Sequence, residues 1–342
     1  METRKLMRLG RSSIVISLPR SWINMNKLKK GDIVSMAVQR DGSLLVLPGI
    51  RKEIPVKKIS LVIKQDDDER FIARKIIACY LNGYSAIELI SPKFFLAKQQ
   101  RVIKKVISSL KMSIMETSPR RIYLESLLDE SKVSVSRTLR RIHMIIISMC
   151  QGITDVLRDW NIELAKSFYS LYDEVDHFTL LLLRLSKKGI EDPMLTIEVG
   201  LEPKDCLDLT MLAYKLERIA HCLADIAQRV LLLNKLGQKL PPYLLEPLLE
   251  MHELACKLYD ETMKAYFSLD IELANKAIDS IVEVEKLSQK ASEALVKETN
   301  SAVVCAFCYM REKVESMAKY SVDIAKLVIN RSCFAMEKEF EK

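Results

Sequence analysis

The sequence lacks long hydrophobic runs, an apolar leader, and the loops and residue pairs of common enzymes. Its longest apolar runs, such as Ile145–Ile147 and Leu180–Leu183, are far shorter than the roughly 20 residues of a membrane-spanning helix. The N-terminus is charged and has no apolar segment, so no secretory signal is expected. We find no glycine-rich loop for phosphate and no nucleophile paired with a base. These absences predict a cytoplasmic protein that is neither integral to the membrane nor an enzyme.

The eight cysteines give no sign of a disulfide framework. They are scattered through apolar helical segments, as small buried side chains of a reducing compartment would be. Cys305 and Cys308 form one CxxC motif, but no second pair follows at the spacing of a zinc site and no strand precedes it. Packing is the favoured interpretation of this motif, and a redox or metal role is the alternative.

The net charge of +8 is concentrated near the N-terminus. Between Met1 and Lys58 there are 13 Lys and Arg residues against four acids, a balance of +9, which leaves about −1 for the rest of the chain. That remainder is long enough for further domains with cores of their own. A basic module on a nearly neutral body indicates a polyanionic partner, and nucleic acid or membrane phosphate would both fit.

One helical stretch of the chain occurs twice. Segments recur at a constant shift of 109 residues and, further along, at a shift of 98, as a duplicated unit with a shorter second loop would give. Apolar residues recur at three- and four-residue spacing in both copies, which indicates helices. The recurring segments are Ile162–Ala165 with Ile271–Ala274, Glu174–Asp176 with Glu283–Glu285, Glu217 with Glu315, and Asp225–Ala227 with Asp323–Ala325.

The first 50 or so residues predict short strands around a small helix. Pro19 ends the second strand because proline cannot donate to a ladder, and Ser21 is the predicted cap of the helix. Asp32 is expected to fix a turn, and Asp41-Gly42 predicts a hairpin. The predicted elements are strands Lys5–Leu9 and Ser13–Leu18, helix Trp22–Asn26, turn Leu28–Asp32, and hairpin strands Ile33–Arg40 and Ser43–Leu47.

This order of elements resembles the swapped-hairpin DNA-binding domain of the AbrB/MazE/SpoVT family. The matching segments are Arg8–Ser13, Ile16–Trp22 and Leu28–Val34. The resemblance implies a homodimer that exchanges hairpins, and some 50 residues of short strands would make a poor core alone. It also implies contacts to DNA from Arg8, Arg11, Ser12 and Arg20. Arginine suits that task through bidentate contacts to phosphate or guanine, and solvated surface charge is the alternative for each.

Residues 51–128 alternate strands with helices, which predicts a small α/β connector of unknown role. Asp66–Glu69 place acids at a helix start, where the helix dipole favours them, and a solvated cap is preferred to a metal site. That helix is expected to end at Asn82-Gly83. The other predicted elements are a strand within Glu53–Lys64, strands Tyr84–Ile90, Met112–Glu116 and Ile122–Leu127, and a helix Phe94–Leu110.

The remainder of the chain predicts two three-helix bundles in tandem. Gly189–Pro203 and Gly237–Pro242 are the main breaks, and short connections favour antiparallel neighbours. The helices are predicted at 131–160, 161–188 and 203–236, then at 243–268, 269–297 and 300–333.

Acidic residues on these helices are the candidates for chemistry. Glu217, His221 and Asp225 stand at i, i+4 and i+8, which places them on one helical stripe. Glu174 and Asp176 lie on the preceding helix. Carboxylates that meet across helices inside a bundle can hold transition metals, and surface ion pairs are the alternative.

At these residues the body resembles the PhoU phosphate-uptake regulators, which consist of two such bundles in tandem. The segments that carry the resemblance are Leu216–Ala220 with Asp225–Ala227, and Val314–Ala318 with Asp323–Ala325. The family implies a divalent or iron-type metal on Glu-x-x-x-Asp pairs, here in the first bundle. His221 and Lys319 stand at the aspartate positions, and Tyr172 stands where the family often has an acid. Neutral His221 could still bind metal, whereas Lys319 would pair with Glu315.

Together these interpretations predict a mainly α protein with an N-terminal β module, in an arrangement that resembles an archaeal type. The domains are 1–50, the swapped-hairpin module; 51–128, the connector; and 129–238 and 239–342, the two bundles. We expect a DNA-binding transcriptional regulator of phosphate uptake or homeostasis, whose body senses a signal or binds a phosphate transporter or sensor protein. The alternative is an adaptor that docks on a phosphate transporter or sensor kinase, negatively regulates uptake and does not bind DNA.

Overall fold

A computed structural model describes residues 2–38, 42–49 and 57–340 of the chain, which divides into two units after residue 56. The N-terminal unit contains two antiparallel hairpins. Strand β1 (Met7–Leu9) pairs with β2 (Ser13–Val15), and β3 (Val34–Val38) pairs with β4 (Leu44–Pro48). Helix α1 (Arg20–Met25) follows the first hairpin. The predicted order of elements is confirmed, and the exchange of hairpins between two copies stays a prediction.

The turns of this unit follow from particular residues. Gly10 has a φ of +72°, which glycine adopts without strain and which closes the first hairpin. The Asp32 carboxylate accepts from the backbone N–H of Lys29 at 2.7 Å, so its predicted role in the turn is confirmed. The predicted cap at Ser21 is wrong, because α1 starts two residues earlier than predicted, at Arg20 after Pro19, and has no side-chain cap. Asp41 of the predicted hairpin turn and the first four residues of the stretch Glu53–Lys64, within which a strand is predicted, lie outside the described residues.

The second unit begins with a four-stranded sheet covered by two helices. The strand order is β5-β6-β8-β7, with β5 parallel to β6 and the other neighbours antiparallel. Helices α2 and α3 contact each other and share one apolar core with the sheet. Asp68 accepts from the Arg70 N–H at 3.1 Å, which confirms the predicted cap of α2. The elements are β5 (Lys58–Val62), α2 (Glu69–Leu81), β6 (Ala86–Ile90), α3 (Ala97–Leu110), β7 (Ser113–Thr117) and β8 (Arg121–Glu125).

The helical body contains both predicted bundles, and they share one core. A single cluster of buried apolar side chains runs through them, because α7 packs on α11 and α4 packs on α8. Each Å² of apolar surface removed from water contributes roughly 25 cal/mol of stabilising free energy, so the shared core holds the two bundles together. The elements are α4 (Val135–Asp159), α5 (Ile162–Glu191), α6 (Pro193–Glu198) and α7 (Pro203–Lys235), then α8 (Pro242–Ser268), α9 (Ile271–Asp279), α10 (Ile281–Ala294) and α11 (Ser301–Phe340).

Two elements differ from the predicted helices. The helix expected over 269–297 is interrupted at Ser280, whose hydroxyl donates to the Lys276 carbonyl at 2.9 Å. Back-bonding of this kind bends helices. The short helix α6 lies within the predicted break between the second and third helices. Of the helices that the structure describes, none is long and apolar enough to cross a membrane.

The starts of α5 and α9 support the duplication. Trp160 and Leu269, which are 109 residues apart, both end a helix with a positive φ, of 53° and 56°. The next residues, Asn161 and Asp270, each accept from a backbone N–H three residues on, at 3.0 and 2.9 Å. The same cap therefore opens the second helix of each bundle.

Candidate functional site

The predicted DNA contacts lie on the first hairpin and at the start of α1. Arg8 is on β1, Arg11 and Ser12 lie in the turn that follows, and Arg20 is the first residue of α1. All four side chains are exposed. Arg8 Nη2 donates to the Arg11 carbonyl at 2.6 Å, so the structure brings these two residues together. Across the parts of the chain that are described, none of the three arginines pairs with an acid, which leaves their charge available to a polyanion.

The N-terminal unit has no core of its own. None of residues 2–38 and 42–49 is buried. Apolar side chains that a stable monomer would bury are instead exposed to solvent. Those exposed by half or more include Leu6, Met7, Leu9, Ile14, Met25, Ile33, Met36, Val38 and Leu44.

Two reciprocal ion pairs join the bundles along α7 and α11. Lys215 on α7 lies 2.5 Å from Asp323 on α11, and Lys313 on α11 lies 3.3 Å from Asp225 on α7. Each lysine and each aspartate has its counterpart 98 residues away, and the helices pair in opposite directions. The second shift of the sequence repeat therefore corresponds to a near two-fold relation between the bundles.

Asp225, a predicted metal ligand, is surrounded by donors. Tyr309 donates to its carboxylate at 2.8 Å, and His221 Nδ1 lies 3.3 Å away. Together with Lys313, these groups give the Asp225 carboxylate three partners from within the protein. The structure thus brings His221 and Asp225 together, as the helical stripe predicts, in an arrangement that neutralises the carboxylate.

Two of the predicted ligands, Asp176 on α5 and Glu217 on α7, lie near each other. Tyr172 donates to Glu217 Oε1 at 2.6 Å, and its ring stands edge-on to that of His221 at 5.4 Å. Burial, followed by the nearby charges of Glu217 and Asp173, raises the pKa of Asp176 to about 6. Burial and the bond to Glu217 also raise the pKa of Tyr172. Tyr172 therefore supplies a hydrogen bond where the family resemblance would place another acid.

Glu174 has a different partner from the other predicted ligands. Its carboxylate forms an ion pair with Arg141 of α4 at 2.8 Å. In the described part of the chain, no group of three or more His, Cys, Asp and Glu side chains is arranged to hold a metal ion. The metal site stays a prediction, and Asp176 is near enough to Glu217 for the charge of that carboxylate to raise its pKa.

The equivalent residues of the second bundle form ordinary polar contacts. Lys319 donates to Glu315 at 2.5 Å, as predicted, and Ser288 donates to the other carboxylate oxygen at 3.0 Å. The bond from Lys319 lowers the pKa of Glu315. Cys305 is exposed and Cys308 is half-buried, and both are free thiols.

A buried charged cluster between the sheet domain and α5 escaped the sequence reasoning. Arg184 is fully buried, and its Nε donates to Glu130 Oε1 at 2.5 Å. Lys188 donates to the other oxygen of Glu130. The guanidinium also donates to the carbonyls of Tyr80, in the last turn of α2, and of Tyr84, just after it. The sequence feature that could have revealed this cluster is Arg184 itself, an arginine within an otherwise apolar stretch of helix.

The contacts along α5 and α7 lie in a segment that other proteins share. Residues 139–230 match the family model of the PhoU domain. The PhoU-domain segment runs from within α4 to within α7 and includes the five predicted metal ligands. The crystal structure of PhoU from Pseudomonas aeruginosa is similar to the chain, with a TM-score of 0.49 and 18% identity, over 57% of this chain and 93% of that one. No curated protein matches the chain.

Proposed function

We propose that the protein is a dimeric, DNA-binding regulator of phosphate homeostasis whose helical body senses a signal or binds a partner that carries one. The PhoU-domain match over residues 139–230 supports the phosphate part of this proposal. That match leaves out the N-terminal unit, so the DNA part rests on the residues of the unit itself.

The observation that carries the DNA part is an exposed basic unit without a core. Its described residues contain eight Lys and Arg against two acids, and the three arginines of the first hairpin and α1 have no acidic partner there. Neutralising DNA phosphates with such charges releases counterions, so the affinity should fall steeply with salt. Two copies that exchange hairpins would bury the exposed apolar side chains and place both sets of arginines on one surface.

A salt titration of DNA binding tests the assignment. Full-length protein is titrated onto a labelled DNA duplex at several salt concentrations, followed by fluorescence anisotropy. Arg11→Ala and Arg20→Ala should each weaken binding and reduce the slope of log K against log salt by about 1, because each removes one phosphate contact. Lys326→Ala, which removes an exposed cation from α11, is the matched control and should change neither. Binding that both arginine variants leave unaltered would contradict the assignment.

Chromatin immunoprecipitation from native cells at high and low phosphate tests the regulatory role. Peaks upstream of phosphate-transport genes that change with phosphate are the expected result. Enrichment in neither condition, together with co-purification of a phosphate transporter or sensor kinase, would favour the adaptor and leave the N-terminal unit as a dimerisation device.

A further inference from the structure

Helices α2 and α3 of the sheet domain and α5 of the first bundle border a cleft of about 1010 Å³. Ligand pockets commonly measure roughly 300 to 1,000 Å³, so the cleft has room for a ligand much larger than inorganic phosphate. Part of its lining is apolar and comes from Ala73, Val102, Val106 and Phe178. A flat organic group could therefore pack inside it.

One wall of the cleft carries four cationic side chains. They are Arg70 on α2, Arg101 and Lys105 on α3, and Lys111 at the end of α3. All four are exposed, and in the ranges that the structure describes none forms an ion pair with an acid. Unpaired arginine and lysine side chains in a concave site are suited to bind phosphate groups, arginine through two parallel hydrogen bonds.

The opposite wall, on α5, carries acceptors. Asp173, Glu174 and Asp176 line it; Glu174 pairs with Arg141, and no cation among the described residues pairs with Asp173 or Asp176. His177 Nδ1 donates to the Ser109 carbonyl of α3 at 2.8 Å. Glu69 adds one acid to the α2 side. The bond from His177 to Ser109 also joins the two walls.

We propose that this cleft binds a nucleotide. The phosphates would lie against the cations of α2 and α3, and the sugar hydroxyls or base amino groups would donate to Asp173 and Asp176 on α5. Ribose hydroxyls are commonly bound by carboxylates in this way. The base would pack on the apolar lining near Phe178. Inorganic phosphate would interact only with the cationic wall. A nucleotide would also donate hydrogen bonds to the α5 wall and pack on the apolar lining between the walls.

Isothermal titration calorimetry on the full-length protein tests this site without DNA. ATP, ADP, AMP and inorganic phosphate are each titrated up to about 1 mM, where a weak complex is still detected. A nucleotide should bind at least about tenfold more tightly than phosphate. Arg101→Ala and Lys105→Ala should each weaken nucleotide binding about tenfold, and Lys104→Ala is the matched control, since Lys104 is exposed on the same helix but does not line the cleft.

The substitution Asp173→Asn distinguishes the contribution of the α5 wall to binding from that of the cationic wall. It should weaken nucleotide binding severalfold and leave phosphate binding unchanged, because it removes an acceptor from the α5 wall alone. Three outcomes would overturn the proposal: no nucleotide binds, phosphate binds as tightly as every nucleotide, or the Lys104 variant loses as much affinity as the Arg101 and Lys105 variants. Because these titrations contain no DNA, their failure would leave the regulator assignment standing.

Discussion

Replacing Arg184 with methionine should destabilise the unit that begins at residue 57 much more than the loss of an exposed charge. Arg184 is fully buried and Glu130 is 5% exposed, so their ion pair lies in a region of low dielectric. The guanidinium also donates to the carbonyls of Tyr80, Gly83 and Tyr84, where α2 ends and its dipole is negative. Methionine has a similar length and fills the space, but it makes none of these bonds.

The expected cost is about 3 to 5 kcal/mol in the free energy of unfolding, as for removal of one partner of a buried ion pair. Because Lys188 also binds Glu130 and remains in this variant, the loss of stability should lie near the lower end of that range. Adding Glu130→Gln to Arg184→Met should recover part of the loss, since it removes the carboxylate that the single change leaves short of a partner. Because this cluster joins the sheet domain to α5, we also expect a single cooperative transition.

Urea unfolding followed by circular dichroism measures these differences. Arg141→Ala is the matched control, since its ion pair with Glu174 is more than one-third exposed on both sides and should contribute below about 1 kcal/mol. The reasoning is refuted if Arg184→Met costs no more than this control. Separate transitions for the sheet domain and the bundles in the wild-type protein would equally contradict the coupling.

Three further predictions follow from the other contacts. Because the raised pKa of Asp176 means that its ionisation opposes folding, stability should fall as pH rises from about 4 to about 6. Asp176→Asn should then add up to about 3 kcal/mol at pH 7 and little below pH 4, measured by urea unfolding in chelator. Deletion of residues 1–56 should yield a folded monomer by sedimentation, because the unit without a core is removed. Lys313→Ala should lower the melting temperature more than Lys215→Ala, since its ion pair is less exposed.

Helix periodicity and caps were enough to predict most elements of the fold. Five of the six long helices, the order of strands along the chain and the repeat all follow from local patterns of residues. Asn161 and Asp270 show why, since each cap is formed within a few residues of the chain. The interruption at Ser280 was missed because the bond from a serine hydroxyl to the preceding turn competes with the helix only weakly.

The candidate site was harder to predict because its contacts are distant in sequence. Arg184 binds Glu130 from 54 residues away, and nothing local marks that partner. The different partners of Glu174 and Asp176, by contrast, follow from helical geometry. Residues two apart on a helix point in nearly opposite directions, so one meets Arg141 of α4 and the other faces Glu217 of α7.

The reciprocal ion pairs also show how the two copies of the duplicated unit have diverged. The near two-fold relation between α7 and α11 predicts that a lysine–aspartate pair formed at one end of their interface is repeated at the other end. The structure contains both pairs. Only the Asp225 pair, however, is covered by Tyr309 and His221, and its carboxylate is 13% exposed against 41% for Asp323. A charge pair shielded from water is screened less by salt. High salt should therefore weaken the contact at Asp323 first, which makes that end of the α7–α11 interface the weaker end.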